Sequence, residues 1–213
     1  MSFQKSVSQY LLQIKAIKLS PQNPFTWASG LRSPIYCDNR VTLSFPDIRT
    51  HILEGLCDLA RTQEPFDAIC GVATAGIPQG ALLADRLIKP FAYVRGKAKD
   101  HGRQNQIEGD LPQGSRLLVV EDLISTGKSS LEAVQVLREA GYIVVAVIAV
   151  FDYGLPQAVK NFSTAQCPYY SLTNYENLVQ EAAEQDYISM EDVQMLTDWK
   201  NDPENWYAKY FNA

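Results

Sequence analysis

The stretch LLVVEDLISTGKSSLEAV, residues 117 to 134, decides the fold. It begins with an apolar run that does not alternate with polar residues, which indicates a strand buried on both faces. The acids Glu121 and Asp122 end that run, and a small hydroxylated turn follows them. From Ser129 to Ala140 the apolar residues recur at helical spacing. The stretch therefore predicts a strand, a tight turn and a helix in succession.

The same strand and helix pattern recurs on both sides of this stretch. Such alternation predicts an α/β fold, a Rossmann-like parallel sheet flanked by helices on both faces. We expect strands at 67–72, 91–94, 117–120, 143–151 and 169–172, and helices near 77–87, 129–140, 175–184, 190–199 and 203–211. Before the sheet we expect an amphipathic helix carrying apolar residues up to Ile17, then loops and small strands. A second helix is predicted with Ser44 as its cap and Pro46 in its first turn.

The composition excludes several classes of protein. The chain has 213 residues and a net charge of −5, so a general affinity for nucleic acid or for an anionic membrane is not expected. The longest apolar run, Tyr142 to Phe151, is too short to cross a bilayer as a helix. Four widely spaced cysteines and two distant histidines give no zinc-binding pattern. Sparse cysteines without a secretory signal favour a reducing, cytoplasmic location.

The residues Gly127-Lys128-Ser129 resemble the end of an ATP-binding P-loop. That motif requires a glycine at position 122, where this chain has Asp122. A carboxylate there would point toward the triphosphate that the loop must surround. We therefore reject the P-loop interpretation, and with it a P-loop kinase.

The remaining features of the turn suit a sugar phosphate. Backbone N–H groups and hydroxyls from Ser125 to Ser129 can bind a monophosphate at the helix N-terminus. Carboxylates at the end of the strand can accept hydrogen bonds from vicinal sugar hydroxyls. Together they fit a 5-phosphoribosyl group. The alternative is a capped strand-to-helix turn with an incidental acidic pair.

Val119 to Gly127 resembles the 5-phosphoribosyl 1-diphosphate (PRPP) signature of the type I phosphoribosyltransferases. That signature has two acids flanked by apolar residues, followed by a Thr/Ser-Gly turn. The loop Gly71-Val-Ala-Thr74-Ala75-Gly76-Ile-Pro78 is similar to the family's pyrophosphate loop. In these two segments the resemblance implies PRPP binding by Glu121, Asp122, Leu123, Ile124, Ser125, Thr126, Gly127, Lys128, Ser129, Thr74 and Ala75.

A basic loop, residues 95–103, follows the second predicted strand. Four cations against the single acid Asp100 give it a net charge of +3. A solvated charged loop is one interpretation, but its place at a strand's carboxyl end and its long polar continuation favour a loop that closes over a ligand. It resembles the catalytic loop of orotate phosphoribosyltransferases. The resemblance implies diphosphate contacts by Arg95, Lys97, Lys99 and His101, and catalytic roles for Lys99, His101 and Asp122.

Residues 25–37 resemble the orotate-binding segment of the same family, F-T-x-x-S-G followed by S-P-x-Y/F. The resemblance implies orotate contacts by Tyr36, Cys37 and Ser125. Many members carry lysine at the positions of Ala28 and Ala75, and an arginine near 152–154 that this chain lacks. Arg32, Arg40 or backbone N–H groups are the candidates to hold the carboxylate of orotate instead.

The resemblance implies an enzyme that transfers the phosphoribosyl group of PRPP to orotate, with Mg²⁺ as cofactor and no metal ligated by protein residues alone. It also implies a homodimer whose basic loop acts in trans. We expect one domain over 1–213: an N-terminal helix and base-binding hood (1–45), an α/β core (46–172) and C-terminal helices (173–213). A phosphoribosyltransferase for another base and a PRPP-sensing regulator remain alternatives. The intact basic loop argues against the regulator.

Overall fold

The computed structural model describes residues 3–96 and 106–211. Its helices are α1 (Phe3–Gln13), α2 (Pro46–Arg61), α3 (Gly76–Leu87), α4 (Lys128–Glu139), α5 (Pro156–Thr164), α6 (Tyr175–Glu184), α7 (Met190–Asn201) and α8 (Trp206–Phe211), with a 3₁₀ helix at Asn39–Ser44. Its strands are β1 (Ile17–Leu19), β2 (Phe25–Thr26), β3 (Arg32–Ser33), β4 (Ile35–Cys37), β5 (Ala68–Val72), β6 (Phe91–Val94), β7 (Ile107–Glu108), β8 (Arg116–Ile124), β9 (Ile143–Asp152) and β10 (Tyr169–Asn174). Within these ranges, no helix is both long and apolar enough to cross a membrane.

A six-stranded sheet in the order β10-β9-β8-β5-β6-β7 forms the centre of the fold. Neighbouring strands from β10 to β6 pair in parallel, which confirms the predicted Rossmann-like sheet. The edge strand β7 is an exception, because it pairs antiparallel to β6. The strand order reverses between β5 and β8. Ligands bind outside the carboxyl ends of the strands at such a reversal.

The two faces of the sheet bury separate apolar clusters. Along β8, Leu118 and Val120 belong to the cluster that also contains α2, α3 and α6. Leu117 and Val119 point to the opposite face and pack with α4 and α5. Alternate side chains of a strand point to opposite faces, so a strand covered on both sides has to be apolar throughout.

The N-terminal hood, residues 17–45, consists of short elements at the carboxyl edge of the sheet. Strand β1 pairs with β4, and β2 pairs with β3, both antiparallel. The C-terminal helices hold the hood in place. The indole Nε1 of the fully buried Trp199 donates to the main-chain oxygen of Arg32 at 3.1 Å, and its ring packs edge-on against Trp27.

Several predicted boundaries were wrong for local reasons. Strand β8 extends through Ile124 because β9 continues to pair with it, so the acidic pair lies within the strand and not after it. Helix α1 ends at Gln13, and Ile17 lies in β1. The N-cap of α2 is Phe45, without a side-chain bond, and not Ser44. Helix α8 begins at Trp206, three residues later than predicted, and helix α5 was not predicted at all.

Candidate active site

The acidic pair lies at the carboxyl end of β8, beside the strand-order reversal. Glu121 is 4% exposed, and its carboxylate accepts hydrogen bonds from the hydroxyls of Ser129 and Ser130, both at 3.3 Å. It also accepts the main-chain N–H of Asp122 at 3.1 Å. The side chain of Asp122 is half-buried. Glu121 thus braces the start of α4, and Asp122 is the carboxylate of the pair that is open to a ligand.

Both acids have raised pKa values. Burial first, and the charge of Asp122 second, raise the pKa of Glu121 well above its ordinary value. Burial also raises the pKa of Asp122, while its hydrogen bond with Glu121 and the charge of Arg40 act in the opposite direction. Adjacent carboxylates oppose each other's ionisation, and burial is deeper at Glu121, so the pKa of Glu121 is the more strongly raised of the two.

The turn between β8 and α4 is shaped as an anion-binding site. Gly127 precedes the helix with φ of 74°, and a Cβ there would lie 2.5 Å from Cε2 of Phe162. Only glycine fits both constraints. The amide of Asn161 donates to the oxygen of Thr126 at 2.9 Å and so fixes the turn from α5. The first N–H groups of α4 lack intrahelical acceptors and point toward the sheet's carboxyl edge, as an anion requires.

The predicted PRPP-binding residues of this turn differ in exposure. Ser125 and Thr126 are half-buried at the turn, while Ile124 is fully buried and its oxygen accepts the N–H of Tyr153. Leu123 packs against the apolar cluster beneath the hood. The side chain of Lys128 is 81% exposed and lies 4.0 Å from Glu132. The side chains of Leu123 and Ile124 therefore pack within the fold and that of Lys128 faces solvent, while contacts of these three residues with PRPP stay a prediction.

The loop after β5 lies directly against β8, the strand that carries the acidic pair and is called the acidic strand below. Its Ala73–Thr74 peptide bond is cis, Thr74 is exposed, and Ala75 caps α3. A Cβ on Gly76 would lie 2.4 Å from the main-chain oxygen of Val120. The glycine thus allows the predicted pyrophosphate loop to contact the backbone immediately before Glu121.

The described start of the basic loop lies at the same carboxyl edge of the sheet. It follows β6, which is separated from β8 by β5. Arg95 continues from β6, and its Nε lies 3.0 Å from a carboxylate oxygen of Glu108 on β7. A cavity of about 320 Å³ opens beside it, lined in part by Ala73, Arg95 and Ser129. Lys97, Lys99 and His101 lie outside the described residues, so their predicted roles stay predictions.

The hood is attached to the acidic pair by a contact that the sequence did not reveal. The amide Nδ2 of Asn39 donates to the main-chain oxygen of Asp122 at 2.7 Å, and its Oδ1 accepts from the thiol of Cys37 at 3.3 Å. Burial first, then the charges of Asp122 and Asp38, raise the pKa of Cys37 well above its usual range. Tyr36, exposed next to Cys37, packs against Phe25. The structure thus joins the segment of Tyr36 and Cys37 to the strand that carries Asp122, while the orotate contacts expected of Tyr36, Cys37 and Ser125 stay a prediction.

The donor set suits a metal ion that is held mainly by a substrate. The residues at 3–96 and 106–211 contain no group of three or more His, Cys, Asp or Glu side chains able to bind a metal ion. Asp122 is a single open carboxylate beside an anion-binding turn. Mg²⁺ typically binds to proteins through one or two carboxylates together with substrate phosphates, so these residues fit Mg²⁺ carried in by a diphosphate.

Comparison with known proteins agrees with this geometry. The phosphoribosyl transferase domain family matches residues 48–185. The orotate phosphoribosyltransferase of Staphylococcus saprophyticus is 52% identical over 198 residues, covering 92% of this chain and 98% of that protein. That of Cytophaga hutchinsonii is 50% identical over 207 residues, covering 97% and 99%. The crystal structure of orotate phosphoribosyltransferase from Aeropyrum pernix superposes with a TM-score of 0.75 at 30% identity, covering 86% and 99%. The chain therefore belongs to the phosphoribosyltransferase family and, within it, to the orotate phosphoribosyltransferases.

Proposed function

We propose that this protein transfers the 5-phosphoribosyl group of PRPP to orotate, giving orotidine 5′-monophosphate (OMP) and pyrophosphate in pyrimidine biosynthesis. The observation that carries the proposal is the convergence of three elements on the segment of β8 that carries Asp122. Asn39 joins the hood to Asp122, Gly76 places the loop after β5 against the acidic strand, and the α4 turn begins three residues further on. In this proposal the hood binds the base, the loop after β5 contacts the diphosphate, and the α4 turn binds the 5′-phosphate. Asp122, between them, holds the ribose.

In the proposed reaction the bond between ribose C1 and the diphosphate loosens first, so positive charge develops on the ribose ring. The ring nitrogen of orotate then forms a bond to C1 as pyrophosphate leaves, and the proton of that nitrogen is released to the pyrophosphate or to solvent. Asp122 holds ribose hydroxyls and lies close to the developing charge, where a fixed carboxylate stabilises the transition state. Ser125 and Thr126, with the first N–H groups of α4, hold the 5′-phosphate. Ser125, Tyr36 and Cys37 contact orotate.

The leaving group requires its own stabilisation. Arg95, Lys97, Lys99 and His101 neutralise the diphosphate in this proposal, with Thr74 and Ala75 contacting it through the loop after β5. Mg²⁺ supplies Lewis acidity toward the diphosphate, and Asp122 is the carboxylate able to face it. Glu121 holds the ribose together with Asp122 in this proposal, and its hydrogen bonds with Ser129 and with the main chain of Asp122 orient both residues.

The proposal further places the protein in the cytoplasm, as one domain over 1–213 that forms a homodimer in which the basic loop acts in trans. The dimer has a direct test. Two inactive variants, Lys99→Ala and Asp122→Asn, are mixed and allowed to exchange subunits. If the loop acts in trans, half of the dimers are mixed and each has one intact site, so about one quarter of wild-type activity returns. A mixture that stays inactive contradicts a loop shared between subunits.

A panel of bases tests the reaction itself. Protein, Mg²⁺ and PRPP are incubated separately with orotate, adenine and xanthine, and base consumption and pyrophosphate release are followed. We expect consumption of orotate alone, with one pyrophosphate per orotate, and no turnover when EDTA removes the metal ion. Turnover of a purine without turnover of orotate would assign the chain to another base.

A further inference from the structure

The carboxylate of an orotate-type base needs a partner in the site, and a cation of the hood is the strongest kind of partner that these residues offer. Transfer of an unpaired carboxylate out of water is costly, so a site that selects it supplies a cation or several N–H donors. Ala28 and Ala75 carry no charge, and the chain after β9 continues with Tyr153 and Gly154. The described hood, residues 17–45, has three cations: Lys18, Arg32 and Arg40.

Arg40 is the hood cation placed beside the reacting end of the site. It follows Asn39, whose amide is bonded to the main chain of Asp122. Its pKa is raised first by its hydrogen bond to Asp38 and further by the charges of Tyr36 and Asp122. Arg40 therefore lies within electrostatic range both of the carboxylate proposed for the ribose and of the tyrosine proposed for the base.

Asp38 fixes the orientation of the Arg40 guanidinium and leaves some of its N–H donors available to a ligand. Nε of Arg40 donates to Oδ1 of Asp38 at 2.6 Å, and Nη2 donates to Oδ2 at 2.9 Å. Oδ1 also accepts the main-chain N–H of Arg40 and so caps the 3₁₀ helix. A guanidinium has five N–H groups, so three have no acceptor among the described residues. The side chain is 61% exposed and can receive a second carboxylate.

The two other hood cations are placed less suitably. The guanidinium of Arg32 lies 4.5 Å from the ring centre of Tyr207 on α8, and its Nη1 donates to Thr26 at 3.0 Å. It is held against the C-terminal helix. Lys18 lies opposite Tyr36 in the β1–β4 pair and is exposed, and no hydrogen bond or ion pair within residues 3–96 and 106–211 orients its long side chain. A lysine is a point charge, whereas a fixed guanidinium matches a carboxylate with two parallel bonds.

We propose that Arg40, oriented by Asp38, binds the carboxylate of the base and so makes the site selective for a pyrimidine carboxylate over the same pyrimidine without it. This inference rests on the proposed function and names the residue that sets its base specificity. Asp38 is a positioning residue in this arrangement.

Binding of the product can be used to measure the contribution of the carboxylate separately from that of the rest of the ligand. OMP and uridine 5′-monophosphate (UMP) differ only in that group, so the ratio of their Kd values measures its recognition alone. The ratio is determined by calorimetry for wild type, Arg40→Ala, Arg40→Lys and Lys18→Ala, with unfolding checked for each. We expect wild type to prefer OMP. In Arg40→Ala the Kd of OMP should rise about 10- to 100-fold with UMP unchanged, as for loss of a charge-assisted contact. Arg40→Lys should recover part of the preference, and Lys18→Ala should retain it.

Each other outcome identifies a different error. If wild type neither turns over orotate nor binds OMP, the proposed function is wrong. If wild type prefers OMP and Arg40→Ala keeps that preference, the function stands and the assignment of Arg40 is overturned. Equal weakening of OMP and UMP in Arg40→Ala would place Arg40 on the ribose or phosphate and would also overturn it. Loss of the preference in Lys18→Ala alone would transfer the role to Lys18.

Discussion

Gly76→Ala should separate the loop after β5 from the acidic strand. A Cβ at position 76 would lie 2.4 Å from the oxygen of Val120, whereas an ordinary contact requires at least 3.4 Å. The backbone at Gly76 or at Val120 must therefore move by about 1 Å. A displacement of that size at a reacting centre costs on the order of 10²-fold in rate. We expect kcat/KM for PRPP to fall by about that factor, with overpacking lowering the free energy of unfolding by about 1–3 kcal/mol.

Gly80→Ala, in the same helix, is the matched control. Its Cβ would lie 2.9 Å from Cε2 of Phe91, a ring atom that can shift, and 3.3 Å from Cα of Gly71, which is only slightly closer than an ordinary contact. Both substitutions gain the helix propensity of alanine, so the difference between them reports the backbone contact. Steady-state kinetics, PRPP calorimetry and urea unfolding of both variants provide the comparison. Equal activity of Gly76→Ala and Gly80→Ala would refute the claim that this contact aligns the site.

Two further predictions concern the buried carboxyl and the C-terminal helices. Because the pKa of Glu121 is raised above its ordinary 4.5, the folded state binds more protons than the unfolded state between the two pKa values, and stability falls as the pH rises through that range. Glu121→Gln should therefore gain in free energy of unfolding relative to wild type as the pH rises above 4.5, and a pH-independent difference in urea unfolding would contradict this. Trp199→Phe removes the bond to the oxygen of Arg32 and should cost about 1–3 kcal/mol of stability and raise the KM for orotate severalfold. Trp206→Phe loses a bond to the main-chain oxygen of Met195, within the C-terminal helices, and should cost similar stability without that change in KM. Equal KM values for the two variants would be inconsistent with a hood held by Trp199.

The sheet could be predicted because its strands are apolar throughout and its helices have regular spacing. Strand β6 and helix α6 were predicted with the bounds that the structure has. Strand β7 was missed because two residues, Ile107 and Glu108, give no periodic pattern, and only pairing with β6 makes them a strand. The extension of β8 to Ile124 likewise depends on its neighbour β9, which acts across the sheet and not along the sequence.

The components of the site could be predicted, but not how they are joined. The acid pair and the glycine turn are contiguous in sequence, so their chemistry could be interpreted directly. Asn39 lies 83 residues from Asp122, and no spacing rule connects an asparagine in the hood to a main-chain oxygen in the sheet. The role of Ser130 in bracing Glu121 was also missed, because a buried carboxyl and an exposed one have the same letter in a sequence.

The rate of OMP formation by wild type and by Asp122→Asn tests the central claim most directly. Asp186→Asn, a change of an exposed aspartate on a distant turn, serves as the control for the substitution itself. We expect wild type and Asp186→Asn to convert orotate and PRPP into OMP and pyrophosphate in a one-to-one ratio. We expect folded Asp122→Asn to be slower by at least about 10²-fold, as for removal of one group that stabilises developing charge. Absence of OMP with wild type, or undiminished turnover by Asp122→Asn, would contradict a phosphoribosyl transfer centred on Asp122.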